Sequence, residues 1–145
     1  SKQEVLDMVG VDMARQLEET SIAVFKWALD YARERDIILA DTKMEFGIID
    51  GQLMLIDELL TPDSSRFWDV EGYKPGRSQP SYDKQFVRDW LDQQGWDHKP
   101  PAPELPNDVV AQTSRKYQEA YFKLTGTRLK VGVPQVCKPG PSQED

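Results

Sequence analysis

Cysteine and histidine are almost missing from this chain of 145 residues, where Cys137 and His98 each stand alone. A single cysteine cannot close an internal disulfide, which fits a reducing compartment. One His and one Cys also argue against a zinc or iron–sulfur centre built within the chain. Any metal would be held by carboxylates, which points to magnesium or manganese. Long apolar runs are absent too, so no membrane span is expected. The first residues lack the apolar core of a signal peptide, and the expected location is cytoplasmic. Basic residues are in deficit, 18 Lys and Arg against 25 Asp and Glu, a net charge of −7. That balance opposes sequence-independent binding of nucleic acid, which rests on cations neutralising phosphates. It leaves room for one bound nucleotide, because local cations and a metal can outweigh the global field.

What is present reads as a folded body. Hydrophobic residues make up 39%, with four Trp, five Tyr and five Phe, enough for one domain with its own core. The chain is organised around residues 38–66, where two apolar runs flank Asp50-Gly51, the signal of a β-hairpin. The spacing predicts a first strand from Ile37 to Ile49. Alternation then puts Asp41, Lys43 and Glu45 on one face and Ala40, Thr42, Met44 and Phe46 on the other. Acid, base, acid, followed by Asp57, suggests a site handling a cation and a phosphorylated ligand. The competing reading is a solvated sheet face with cross-strand ion pairs.

Around this hairpin the periodicity predicts a short helix over 2–9, a break at Gly10, and a long helix from Val11 to Arg35. The long helix carries the stripe Ala14, Leu17, Val24, Ala28 and Tyr31 and is expected to cover the hairpin. Residues 61–82 contain Pro62, Pro75 and Pro80 with several Gly and Ser, and read as loop. Within that loop Ser64, Ser65 and Arg66 suit an anionic group, because hydroxyl and guanidinium donors are the usual phosphate partners. The plainer alternative for Arg66 is an ion pair with Asp63 or Asp69. A helix over 83–93 buries Phe86, Val87, Trp90 and Leu91. Its Lys84 and Arg88 lie four apart on one face, so either Asp89 and Asp92 relieve their repulsion or a ligand anion does. His98 falls in a Pro-rich connector and reads as exposed. A last helix over 107–124 begins at an Asn107 cap, ends at Gly126, and carries the core stripe Val110, Tyr117, Tyr121 and Leu124. Residues 132–145 read as a weakly ordered tail beyond a body of residues 1–131.

The stretch Leu39-Ala40-Asp41-Thr42-Lys43-Met44-Glu45-Phe46-Gly47 closely resembles a signature of the SAICAR synthetases, the phosphoribosylaminoimidazole-succinocarboxamide synthases of de novo purine biosynthesis. Asp57-Glu58, Thr61 to Trp68, Ser81 to Asp89 and Tyr117 to Tyr121 fit the same family in order. The fuller Thr61–Trp68 and Ser81–Leu91 segments are similar to its eukaryote-like branch. Family members carry a further N-terminal lobe with a glycine-containing nucleotide loop and a lysine, to which nothing here corresponds. The resemblance therefore implies the C-terminal lobe of an α+β, ATP-binding fold: an antiparallel sheet with packed helices.

The resemblance also implies the chemistry. ATP would drive amide formation between carboxyaminoimidazole ribonucleotide and L-aspartate through an acyl phosphate, giving SAICAR. Glu45 and Asp57 would hold Mg2+ and the nucleotide. Lys43 would face phosphate or the substrate carboxylate, and Asp41 would orient Lys43 or bind substrate. Arg66, with Ser64 or Ser65, would grip the ribonucleotide, and Lys84 and Arg88 would complete the anionic pocket. A non-catalytic Mg-nucleotide module and a structural fragment are the other classes. If Glu45 and Asp57 share a metal they must project from one face. A two-residue turn sets Asp57 against Met44, so an odd loop or a bulge between the two acids is expected.

Overall fold

The structure, a computed structural model, describes residues 1–77, 79–82 and 84–130. The body expected over residues 1–131 falls almost wholly within them, and the tail expected over 132–145 lies outside them. Helix α1 (Lys2–Val9) opens with a capping box, in which Ser1 Oγ accepts from the Glu4 amide. Gly10, at φ 81°, breaks the path, and α2 (Val11–Arg33) follows. The strands are β1 (Ile37–Thr42), β2 (Phe46–Ile49), β3 (Gln52–Leu55) and β4 (Ser65–Asp69). Helices α3 (Gln85–Gln93) and α4 (Asn107–Thr125) complete the α+β order, and Gly126 in the left-handed region ends α4.

Two antiparallel pairs replace the one sheet that the hairpin signal suggested: β1 with β4, and β2 with β3. The expected strand Ile37–Ile49 is broken over Lys43 to Glu45. Its first part is claimed by β4: Thr42 pairs with Ser65, and the Lys43 amide donates to Ser64 O at 2.8 Å. Beyond that bond the backbone leaves one ladder for the other. β4 itself lies inside the stretch read as loop. Its alternation is clear, with Ser65 and Phe67 buried and Arg66 exposed between them.

The core sits between α2, the β1–β4 pair and α4. Ala28 and Ala32 bring α2 close to Ile37, Leu39 and Phe67, with Tyr82 and Ala120 closing the cluster. The long helix thus covers β1 and not the β2–β3 hairpin. On α4 the buried positions are Val109 and Ala120; of the expected stripe Tyr117 and Leu124 are half-buried, Leu124 against the core, while Val110 and Tyr121 face solvent. Pro106 stands at the N-cap where Asn107 was expected, and Asn107 is the first helical residue. In α3 the expected stripe is half-buried. Among the described residues no helix is long and apolar enough to cross a membrane.

One polar cluster is built into this core. The Tyr82 hydroxyl donates to Asp69 Oδ2 at 2.6 Å, and Lys123 Nζ stands 3.2 Å from the same oxygen. The Tyr82 hydrogen bond holds the Asp69 carboxyl below its usual range against the opposing effect of burial, helped by the Glu71 amide and Lys123. Burial, then Asp69, pushes the Tyr82 phenol well above its ordinary value. A raised pKa in the folded state means stability that is fully present below the unfolded tyrosine value of about 10 and is lost as pH rises through the folded value. The urea midpoint of the native chain should therefore fall between pH 9 and pH 11. Tyr82→Phe should flatten that fall while costing about 1 kcal/mol at neutral pH through the lost hydrogen bond. Identical alkaline slopes for the two proteins would refute this account.

Candidate functional site

The charged residues singled out from the sequence form two neighbouring groups. The first surrounds Lys43, whose ammonium lies 2.5 Å from Glu45 Oε1 and 3.7 Å from Asp57 Oδ2. The Glu45 hydrogen bond is the main cause, and Asp57 a lesser one, of a Lys43 pKa above the usual lysine range. The lysine is held cationic.

The expected odd loop or bulge between Glu45 and Asp57 does not occur. Asp50 and Gly51 have φ of 52° and 78°, which suits a two-residue turn whose twist matches the strands. Ile49 pairs with Gln52 and Phe46 with Leu55, a regular register. The two carboxylates nevertheless approach one ammonium, because both lie outside the strands, beyond the last pair Phe46–Leu55. Pairing closes with the Ile56 amide donating to Glu45 O at 3.0 Å. Beyond it neither Met44 nor Asp57 belongs to a strand, so the alternation that would separate their faces no longer applies. The sheet irregularity lies elsewhere, in β1 between Leu39 and Asp41. It brings Asp41 opposite Arg66.

The second group lines a cavity of about 220 Å³ bounded by Asp41, Asp63, Ser64, Ser65, Arg66, Lys84, Gln85 and Arg88. Strand β4 supplies Ser65 and Arg66, and the start of α3 supplies Gln85 and Arg88. Arg66 pairs with Asp41, its Nε lying 2.9 Å from both carboxylate oxygens, and not with Asp63 or Asp69. That hydrogen bond keeps the Asp41 carboxyl below its usual range. Lys84 finds Asp63 at 2.8 Å, so the repulsion along α3 is not relieved by Asp89 or Asp92. Those two acids meet Gln85 and His98 instead, and His98 is exposed as expected. The two serines differ. Ser64 Oγ accepts from the Thr61 amide and shapes the turn, whereas Ser65 is buried with its hydroxyl 2.8 Å from Thr42 Oγ1.

Asp63 and Gln85 are wall residues that the sequence reading did not assign. Asp63 sits within the quoted Thr61–Trp68 segment, so its position was visible but its pairing with Lys84 was not. A second cavity of about 590 Å³ adjoins the first through Arg66 and Gln85, and Trp68 stacked on Tyr73 forms part of its wall. The two groups touch through the backbone bond from Lys43 to Ser64. Among the described residues no three His, Cys, Asp or Glu side chains converge as a metal site. Magnesium is commonly held through one or two carboxylates, with phosphate oxygens and water supplying the rest, so the Glu45–Asp57 pair fits that ion.

The fold and these groups define an α+β protein with a small cavity walled by charged and hydroxyl side chains beside a carboxylate pair. The family model described as SAICAR synthetase matches residues 1–103, and the chain belongs to that family. Phosphoribosylaminoimidazole-succinocarboxamide synthase of Maridesulfovibrio salexigens is 51% identical over 129 residues, covering 89% of this chain and 43% of the relative. The Streptomyces coelicolor protein of the same name is 56% identical over 130 residues, covering 87% and 44%. Among solved structures, SAICAR synthase from Saccharomyces cerevisiae complexed with SAICAR superposes with a TM-score of 0.82 at 44% identity, covering 90% of this chain and 44% of that one. A type-2 SAICAR synthetase in complex with ADP gives 0.62 at 28%, covering 88% and 44%. The chain thus spans less than half the length of the relatives it matches. Both bacterial relatives exceed the yeast structure in identity, so likeness to the eukaryotic branch does not set this chain apart from bacterial ones.

Proposed function

We propose that this chain is the C-terminal part of a cytoplasmic, ATP-dependent carboxylate–amine ligase that joins carboxyaminoimidazole ribonucleotide to L-aspartate and yields SAICAR in purine biosynthesis. The observation that carries the reading is the gathering of Asp41, Ser64, Ser65, Arg66, Lys84 and Arg88 around one small cavity next to Lys43, Glu45 and Asp57. Three cations, Arg66, Lys84 and Arg88, stand about this space against two carboxylates, Asp41 and Asp63, and charged donors of this kind are the usual partners of a phosphate ester. The complexes with SAICAR and ADP among the similar structures support the same ligand classes.

In this reading the ribonucleotide carboxylate attacks the γ-phosphorus of ATP, and ADP leaves with the broken P–O bond electrons. The amine of aspartate then attacks the acyl phosphate, phosphate departs, and the amine loses a proton. Lys43, kept protonated by its two acids, faces the negative charge developing on the transferred group. Arg66, Lys84 and Arg88 hold the ribonucleotide phosphate, with Asp41 fixing the Arg66 guanidinium. Glu45 and Asp57 would hold Mg2+, which supplies charge neutralisation at the phosphates.

Binding can be tested on this chain, because all the cavity residues named above belong to it. Thermal melting is followed with SAICAR and with its dephosphorylated riboside. A ligand that binds only the native state stabilises it by about 2.7 kcal/mol at a hundredfold excess over Kd. The expected result is a rise in melting temperature with SAICAR and none with the riboside. Equal effects of the two, or no effect of either, would reject the phosphate cradle. A binding module without turnover would give the same melting result, yet the completed protein would release no ADP when aspartate and ribonucleotide are supplied.

A further inference from the structure

We infer that the segment 131–133 of this chain, through Val131 and Val133, occupies the apolar cavity between α2 and α4. These residues lie beyond the stretch 1–103 that the family model matches, and the seat requires nothing of the ligase reading.

The cavity measures about 480 Å³, with Trp27 and Tyr31 of α2, Tyr121 and Leu124 of α4, and the turn over 60–62 in its wall. That wall is held in place by the fold. The Tyr31 hydroxyl donates to Leu124 O at 2.7 Å, so it asks nothing polar of a guest. Its ring is stacked on Trp27 at 5.0 Å and met by the Arg35 guanidinium at 3.5 Å. In the turn, the Thr61 amide donates to Ser64 Oγ at 3.1 Å, and the Ser65 amide to Thr61 O at 2.9 Å. At the rim, Trp27 is 62% exposed and Tyr121 38%. A preformed apolar cavity of this size selects aliphatic or aromatic groups.

The chain itself arrives there. Gly126, in the left-handed region, ends α4, and its amide donates to Phe122 O at 2.8 Å, so the backbone leaves the helix axis. Leu129 then lines the cavity, one residue before the described part stops at Lys130. The sequence continues Leu129-Lys130-Val131-Gly132-Val133-Pro134, with an aliphatic residue at every second position. Alternate side chains of an extended segment share a face, so Val131 and Val133 follow Leu129 to the cavity side. Lys130 and Gly132 then point away from it. Four residues of extended chain reach about 13 Å, enough to cross a cavity of about 480 Å³. A tethered segment also meets its seat at an effective concentration in the millimolar range, which a second copy in dilute solution does not match.

The test uses the full chain. Val131→Asp together with Val133→Asp should lower its thermal midpoint by roughly 5 °C or more, because the carboxylates must either enter an apolar seat or abandon it. Val136→Asp, on the other side by the same alternation, should move the midpoint by less than about 2 °C. In the unsubstituted chain, nuclear Overhauser cross-peaks should join the methyl groups of Val131 or Val133 to ring protons of Trp27 or Tyr121. A midpoint that ignores the paired aspartates, an equal loss from Val136→Asp, or valine methyls without a cross-peak to either ring would overturn the proposal. Cross-peaks that arise only between differently labelled copies in a mixed sample would overturn it too, since the guest would then be a second copy.

Discussion

No ADP should be released when this chain alone is given Mg-ATP, L-aspartate and carboxyaminoimidazole ribonucleotide, whereas the completed enzyme should turn over. The reason is the state of the charges. The side chains of Lys43, Glu45 and Asp57 are 63%, 47% and 41% exposed, and water screens them in this open arrangement. Preorganised charges stabilise a phosphoryl-transfer transition state only where water is excluded and their positions are fixed. The chain also spans only 43% of the M. salexigens relative, and the resemblance assigns the glycine-containing nucleotide loop to the portion outside it. A coupled ADP assay, run with and without each substrate, is the measurement. ADP release by this chain alone that requires both aspartate and ribonucleotide would overturn the prediction.

Arg66→Ala should weaken ribonucleotide binding to the completed enzyme roughly tenfold to a hundredfold, because a charged hydrogen bond is worth about 1.5–3 kcal/mol. ATP binding should change far less. The structure sharpens the reason: Arg66 and Asp41 both line the small cavity and pair with each other, so removing the guanidinium leaves an uncompensated carboxylate in its wall. Arg66→Lys should recover only part of the loss, since an ammonium cannot replace the planar fork that meets both Asp41 oxygens. Dissociation constants for the two ligands, measured separately by calorimetry, decide it. Equal losses for ribonucleotide and ATP would remove Arg66 from the ribonucleotide site.

Several elements were legible because they depend on near neighbours in the chain. Gly10 and Gly126 marked helix ends through their backbone freedom, and Asp50-Gly51 named its turn. The turn chemistry in fact outweighed the argument for an odd loop, which rested on a ligand and not on the chain. Strand β4 was hidden because Pro62 and the serines around it gave a loop composition. The alternation of Ser65, Arg66 and Phe67 is too short to stand out against that background. The stripe on α4 was partly misplaced for a similar reason: Val109 and Val110 are adjacent, and only packing against the rest of the fold selects Val109 to turn inward.

The sequence by itself determined the residue types available for chemistry. With one Cys and one His, carboxylates, hydroxyls and cations were what remained, and the 39–47 stretch tied them to one family. It also set the helices, whose periodicity and end signals are local. The tertiary structure alone decided the partners. Arg66 meets Asp41 across 25 residues, and Lys84 meets Asp63 across a change of element. A side-chain pair of this kind follows from which strands share a ladder, and Ser65–Asp69 pairing with Ile37–Thr42 is a long-range choice made by burial of Phe67, Ile37 and Leu39. Glu45 and Asp57 reach the same ammonium for the same reason: the ladder ends at Phe46 and Leu55, one residue from Glu45 and two from Asp57, where no repeat in the sequence governs direction.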